Sequence, residues 1–383
     1  MPARKKSVIS KASPHTIKKF ELIEEYIKSW AQKLMLNNSC NGLIFIDCMC
    51  NSGIYTDDAG EIVKGTAVRV SEALLEVART YTDKTVYIYL NDKDAKRVDE
   101  LEKHLPQNER NFQIVTSRLD AHELLKTIGP QLCQTGHLHY FLLYDPYDAS
   151  IDWEALLPFF RNWGEVMINH MVSDPVRAIT RAKRKTTKEK YENTYLEDFE
   201  KLVPFGSDKA AYEARVEEII SSLHGTRRYY VAAFPFYNTN NSHMYNLIHC
   251  TSHKEGFKLY KKSAWKVFGA QSSTKHSTES GQLRFDFDGV VTLDTDTSCF
   301  HVRDIAKYLQ DNFKGRNLVP LTELWDLLDD HPIFPSEGYR NEMKSRKNWS
   351  VTTEQKLSRL SESKQTRKNT SFHSLREKEC ERG

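Results

Sequence analysis

The sequence predicts a doubly wound α/β protein with a mostly parallel sheet, a helical insertion and a small C-terminal winged helix-turn-helix. Three observations carry this. Short, nearly continuous apolar runs alternate with amphipathic segments of helical period over residues 15–169, and strands covered on both faces read in this way. Over residues 175–224 the strand signal vanishes in a polar stretch of helical pattern. Beyond 271–281, a Ser/Thr-rich linker candidate, three more helical patterns stand close together.

Taken in order, residues 15–36 carry Phe20, Ile23, Ile27, Trp30, Ala31 and Leu34 at steps of three and four, and Ser13-Pro14 supplies a helix start. Residues 43–47 form the first apolar run, and a polar loop with Gly53, Asp57, Asp58 and Gly60 leads to a helix over 66–80. Strand 85–91 precedes helix 94–105, strand 112–116 a short helix at 121–127, and strand 139–144 helix 152–161; strand 165–169 follows. After the insertion, 229–235 and 245–251 read as an antiparallel pair at the sheet edge. Residues 283–293 alternate as a strand or hairpin, and helices over 300–313, 320–329 and 335–347 complete the outline of a winged helix. The expected domains are residues 1–275 with the insertion at about 175–224, residues 282–350, and a basic tail 351–383 on which no structure is placed.

Composition narrows the function classes. A chain of 383 residues holds two or three domains, since roughly 100–200 residues make one. With 39% hydrophobic and 28% charged residues and a mean hydropathy of −0.61, the mix is that of a globular protein. No apolar run is long enough to span a membrane, and the basic residues 1–7 lack the apolar core of a secretory leader, so a cytoplasmic protein without membrane association is expected. The seven cysteines show no CxxC or Cys/His spacing, which argues for reduced thiols rather than zinc or disulfides, and no metal is expected. Net charge is only +3, but residues 338–383 hold twelve Lys/Arg against six Asp/Glu, and residues 177–190 hold seven against one.

Four strand ends carry the candidate chemistry. The first is Asp47-Cys-Met-Cys-Asn51-Ser52-Gly53: an acid ending a buried strand, then small residues that let a nucleotide-like ligand approach the backbone, although tight turns need small residues anyway. The second is Asp92, placed to accept both hydroxyls of a ribose or else simply solvated. Asp120 is the third, a partner for an adenine amino group, an N-cap for the next helix, or both. The fourth is Asp145-Pro146-Tyr147, where a carboxylate accepts from an amino group, a proline stiffens the turn and an aromatic ring stacks on a flat acceptor.

Together these residues resemble the cofactor frame of S-adenosylmethionine-dependent methyltransferases with a Rossmann-like sheet. More closely they are similar to the three-Cys-motif partner proteins (TcmP), a bacterial family. The likeness runs from His15, Lys19 and Tyr26 through Asp47–Tyr55, Lys64-Gly65-Thr66-Ala67, Asp92, Asp120, Asp145-Pro-Tyr147, Ile151-Asp-Trp153 and Val166-Met-Ile-Asn169. It implies a methyltransferase-like domain over residues 13–275, a winged-helix end, S-adenosylmethionine as cofactor and a Gp37/Gp68-like three-Cys-motif protein as partner. It also implies that Asp47, Asn51, Gly53, Asp92 and Asp120 surround the cofactor and that Asp145, Pro146 and Tyr147 form the catalytic end. Asn51 stands where the family has its first glycine, Cys48 and Cys50 where it has Leu and Ala, and the second proline of an Asp-Pro-Pro-Tyr motif is missing.

Two functions follow as expectations. One is methyl transfer to a nucleic-acid or nucleotide-like amino group, a duplex base being extruded to reach Tyr147. The alternative is a non-catalytic module that binds nucleic acid or a partner protein, with Arg181, Lys183, Arg184, Lys185, Arg340, Lys344, Arg346 and Lys347 on phosphates; solvated helix faces would show the same residues. A nicotinamide enzyme is disfavoured, because the glycine fingerprint after the first strand is incomplete.

Overall fold

The computed structural model describes residues 8–132, 138–160, 164–203, 208–223, 229–276, 298–316, 318–338, 349–352 and 371–374. Seven strands build the central sheet: β1 (Gly42–Asp47), β2 (Thr85–Asn91), β3 (Phe112–Ser117), β4 (Leu138–Tyr144), β5 (Gly164–His170), β6 (Tyr230–Tyr237) and β7 (His243–Thr251). Their order is β3-β2-β1-β4-β5-β7-β6. The first five run parallel, while β7 is antiparallel to both β5 and β6.

The alternation of side chains along β1 explains its central place. Leu43 and Phe45 enter one apolar layer, with α1 (Pro14–Met35), α2 (Thr66–Thr80) and α10 (Lys254–Val267). Ile44 and Ile46 enter the other, with α4 (Ala121–Leu132), α5 (Trp153–Leu156) and the insertion helices α7 (Lys185–Tyr195) and α9 (Lys209–Leu223). A strand with both faces covered must be apolar throughout, and every residue of β1 is buried. The insertion also contains α6 (Ser173–Ala178) and α8 (Phe199–Leu202).

Several expectations change in detail. The loop after β1 is not irregular: Ile54–Thr56 pairs antiparallel with Ile62–Lys64 and parallel with Ser10–Lys11. The helix expected over 94–105 is the short α3 (Ala95–Leu101), capped by Asp94, whose side chain accepts from the Lys96 amide. The helix expected over 152–161 stops after one turn and tightens into a 3-10 turn at Leu157–Phe159. No element was expected over 252–270, where α10 forms with Phe257, Tyr260, Ala264 and Trp265 buried at helical spacing.

The C-terminal helices α11 (Val302–Asn312) and α12 (Leu321–Asp330) do not close a core of their own. Ile305, Leu309, Leu324, Leu328 and Phe334 join the layer around Trp265. Lys261 of α10, fully buried, donates to the Leu328, Asp329 and His331 carbonyls at 2.8, 3.0 and 2.6 Å, capping the end of α12. Short strands at Val319–Pro320, Trp349–Thr352 and Ser371–Ser374 pair antiparallel. The third helix expected over 335–347 is not formed by residues 335–338, where Gly338 takes φ +100° and Phe334 stacks on His331. The rest of that helix and the strand expected over 283–293 lie outside the described residues.

Candidate functional site

The chain leaves β1 toward β2 and β3 on one side, and leaves β4 toward β5 on the other. In such a sheet a crevice opens beyond the carboxyl ends of the two diverging strands. Asp47 closes β1 and is buried, Asp145 follows β4, and Asp92 follows β2. The three acids feel one another. Burial first, then the charge of Asp145 and more weakly that of Asp92, push the Asp47 carboxyl up to about 8 against the opposing pull of the Met49 amide and Lys19.

The turn from Cys48 to Gly53 holds a conformation that few residues tolerate. Asn51 sits at φ +58° and Gly53 at φ +70°, so asparagine takes over a left-handed position that glycine usually fills. A Cβ on Gly53 would lie 2.3 Å from Leu101 Cδ1 and 2.9 Å from Val68 Cγ2. Replacing Gly53 with Ala is therefore expected to cost about 2–4 kcal/mol, the sum of left-handed strain and overpacking, read as a lowered denaturant midpoint. Cys48 and Cys50 are buried free thiols, pushed well up by burial and by Asp47, which leaves them protonated and unreactive.

Asn91, the last residue of β2, ties three turns together. Its Nδ2 donates to the Cys48 and Leu119 carbonyls at 3.0 and 2.9 Å. Its Oδ1 accepts from Ser117 Oγ at 2.7 Å and from the Leu119 amide at 2.9 Å. The Cys50 amide in turn donates to the Asn91 carbonyl at 2.8 Å.

Each acid beyond the strands has protein partners. Asp145 Oδ2 receives Lys19 Nζ of α1 at 2.6 Å, and its Oδ1 receives Asn169 Nδ2 of β5 at 2.6 Å. Asn169 Oδ1 is buried and has no hydrogen-bond partner among the described residues. Asp92 Oδ2 accepts from the Asn51 amide at 3.1 Å and from the Tyr147 hydroxyl at 2.8 Å, while Oδ1 accepts from the Asp94 amide at 2.9 Å. Arg97 Nη1 lies 3.6 Å from Asp92, donates to the Tyr147 hydroxyl, and stacks its guanidinium 5.0 Å from the ring centre. Asp92 is thus engaged rather than solvated. Pro146 is buried, whereas Tyr147 is 54% exposed and lies across Asp92 like a latch.

Asp120 is exposed, and its Oδ1 accepts from the His122 amide at 3.0 Å, the N-cap arrangement for α4. The insertion packs against the loop after β4: Trp153 Nε1 donates to the Thr194 carbonyl at 2.7 Å, and Lys190 pairs with Asp148 at 3.0 Å. Arg181, Lys183, Arg184 and Lys185 are exposed on it; Lys185 pairs with Glu189 at 3.5 Å, and the other three have no ion pair among the described residues. Arg340, Lys344, Arg346 and Lys347 lie outside the described residues.

Asn91 and Arg97 escaped the reading of the sequence as participants, and Lys19 and Asn169 entered only through resemblance. No family model matches this sequence, and no curated protein does. Among solved structures, human methyltransferase-like protein 13 in complex with SAH aligns over 66% of this chain and 92% of that one, at 6% identity and a TM-score of 0.33. A loganic acid methyltransferase with SAH aligns over 67% and 85%, at 10% identity and a TM-score of 0.25. The strand order and the antiparallel β7, rather than these distant likenesses, define the architecture: a doubly wound, Rossmann-like α/β sheet.

Proposed function

We propose that the crevice binds S-adenosylmethionine and that the protein methylates an amino group of a nucleic acid or a nucleotide-like substrate. The observation that carries this reading is the meeting of Asp47, Asp92 and Asp145 at the switch point of the sheet, beside an Asn169 oxygen that has no partner among the described residues. When bound, the cofactor supplies an electrophilic methyl carbon.

This chain's residues would hold and orient the two reactants. Asp92 would accept a ribose hydroxyl in place of the Tyr147 phenol, whose ring is exposed enough to swing aside. Asn51 and Gly53 keep the main chain close, and Asp120 would meet the adenine amino group with the oxygen not used as a cap. An acceptor amine would donate to Asp145 where Lys19 now sits and to Asn169 Oδ1, filling the open acceptor. Tyr147, released from Asp92, would stack on the base. Isothermal titration of the intact protein tests this: S-adenosylmethionine is expected to bind, and Asp92→Ala to weaken it by about tenfold or more, the loss of roughly one charged hydrogen bond. Absence of binding together with no effect of the substitution overturns the reading.

The same residues support membership of the TcmP family, with a Gp37/Gp68-like partner and a winged-helix end built on α11 and α12. A second reading, a non-catalytic nucleic-acid module, is favoured by Arg181, Lys183 and Arg184 on the insertion, exposed and without an ion pair among the described residues. Cations that contact phosphates give steeply salt-dependent binding. A short duplex should be retarded at about 50 mM salt and released at about 200 mM; no retardation at the lower salt rejects nucleic-acid binding by either route.

A further inference from the structure

We propose that Asp47 is the charge sensor of the crevice, admitting a singly cationic ligand by giving up its own proton and so preferring a sulfonium over the neutral thioether left after transfer. The inference rests on the cofactor reading above and adds to it which ligand charge the site selects, and how.

Among the described residues three carboxylates face the crevice, and two cations pair with them. Lys19 is 2.6 Å from Asp145, and Arg97 is 3.6 Å from Asp92. Asp47 has no cation within ion-pair distance among the described residues; its side chain accepts only the Met49 amide, at 3.1 Å. Lys19 pulls on it from beyond that distance, by less than Asp145 pushes, and is held in its pair with Asp145, while Asp92 adds a further negative charge. The other titratable groups that face it are the Cys48 and Cys50 thiols and the Tyr55 and Tyr147 phenols, none of which brings a positive charge. A buried carboxylate without a counter-charge keeps its proton. Among the described residues the crevice is therefore one positive charge short, and the proton on Asp47 fills the deficit.

A monocation in that place restores the balance directly. The O–H bond of Asp47 breaks, its proton passes to solvent, and the carboxylate pairs with the ligand charge; no electrons change hands. S-adenosylmethionine carries one more positive charge than S-adenosylhomocysteine, so only the former should displace the proton.

The test is isothermal titration of the full chain with each ligand, near neutral pH, in phosphate and in Tris, whose ionisation enthalpies differ. S-adenosylmethionine is expected to release close to one proton per molecule bound, and S-adenosylhomocysteine none. The preference for the sulfonium should grow by about tenfold or more between pH ~6.5 and ~8.5, as the ionised fraction of Asp47 rises through about 8. Asp47→Asn should abolish both the proton release and the pH dependence. Equal proton exchange for the two ligands, with a preference that is flat in pH, overturns the inference and leaves the cofactor reading standing. Failure of both ligands to bind overturns the cofactor reading itself. The wild-type comparison decides even where the variant does not fold.

Discussion

Replacing Asn91 with Ala is expected to lower stability by about 3–4 kcal/mol, although the residue touches no predicted ligand atom. Asn91 is buried and makes four side-chain hydrogen bonds to the turns that follow β1 and β3. Each such bond contributes about 1 kcal/mol, and buried groups left without a partner cost more. Alanine leaves the Cys48 and Leu119 carbonyls and the Leu119 amide without the partner Asn91 gave them, in a place that a single small side chain cannot refill. The measurement is the denaturant midpoint, paired with amide exchange over residues 48–53 and 117–120, which should quicken together. A loss below about 1 kcal/mol, or exchange that quickens in only one turn, would show that the turns do not depend on this residue.

The second large effect is expected at Lys19. Its ammonium and the Asp145 carboxylate form a pair in which the lysine side chain is 8% exposed. Removing one member of such a pair costs about 3–5 kcal/mol, because the survivor is left charged and poorly solvated. Lys19→Met keeps much of the aliphatic stem, so the loss reports the charge rather than packing. Asp145→Asn alone should cost a comparable amount by stranding Lys19, and the double variant should cost clearly less than the two together, with a coupling of about 1–3 kcal/mol. A coupling near zero in that cycle would mean that Asn169, the other partner of Asp145, already satisfies the carboxylate.

Much of the fold was legible because its signals are local. The runs at β1, β4 and β5 are apolar since both of their faces are covered, and α1 and α2 show their buried stripes at three- and four-residue steps. Helix α10 carries the same stripe and still went unread, in part because Lys261 sits within its buried face and breaks the pattern. That lysine is tolerated only because three carbonyls at the end of α12, 67 to 70 residues away, receive its protons. The third C-terminal helix was expected from a proline start at 335, but Gly338 and the docked Phe334 turn the described part of that segment another way.

The acids were found by position. Any acid just past a parallel strand is carried to the carboxyl edge of the sheet, so Asp47, Asp92 and Asp145 could be named from strand ends alone. What they would meet there could not be read. Lys19 reaches Asp145 across 126 residues, Tyr147 reaches Asp92 across 55, and the Asn91 bond to Cys48 spans 43.

The sequence by itself thus determined the alternation of strands and helices, the helical insertion and the strand ends that bear carboxylates, because periodicity and burial act within a few residues. Only the tertiary structure decided that two of those acids stand in ion pairs while Asp47, among the described residues, stands in none. Charge compensation in a crevice depends on distances between segments far apart in the chain, and no local pattern encodes those.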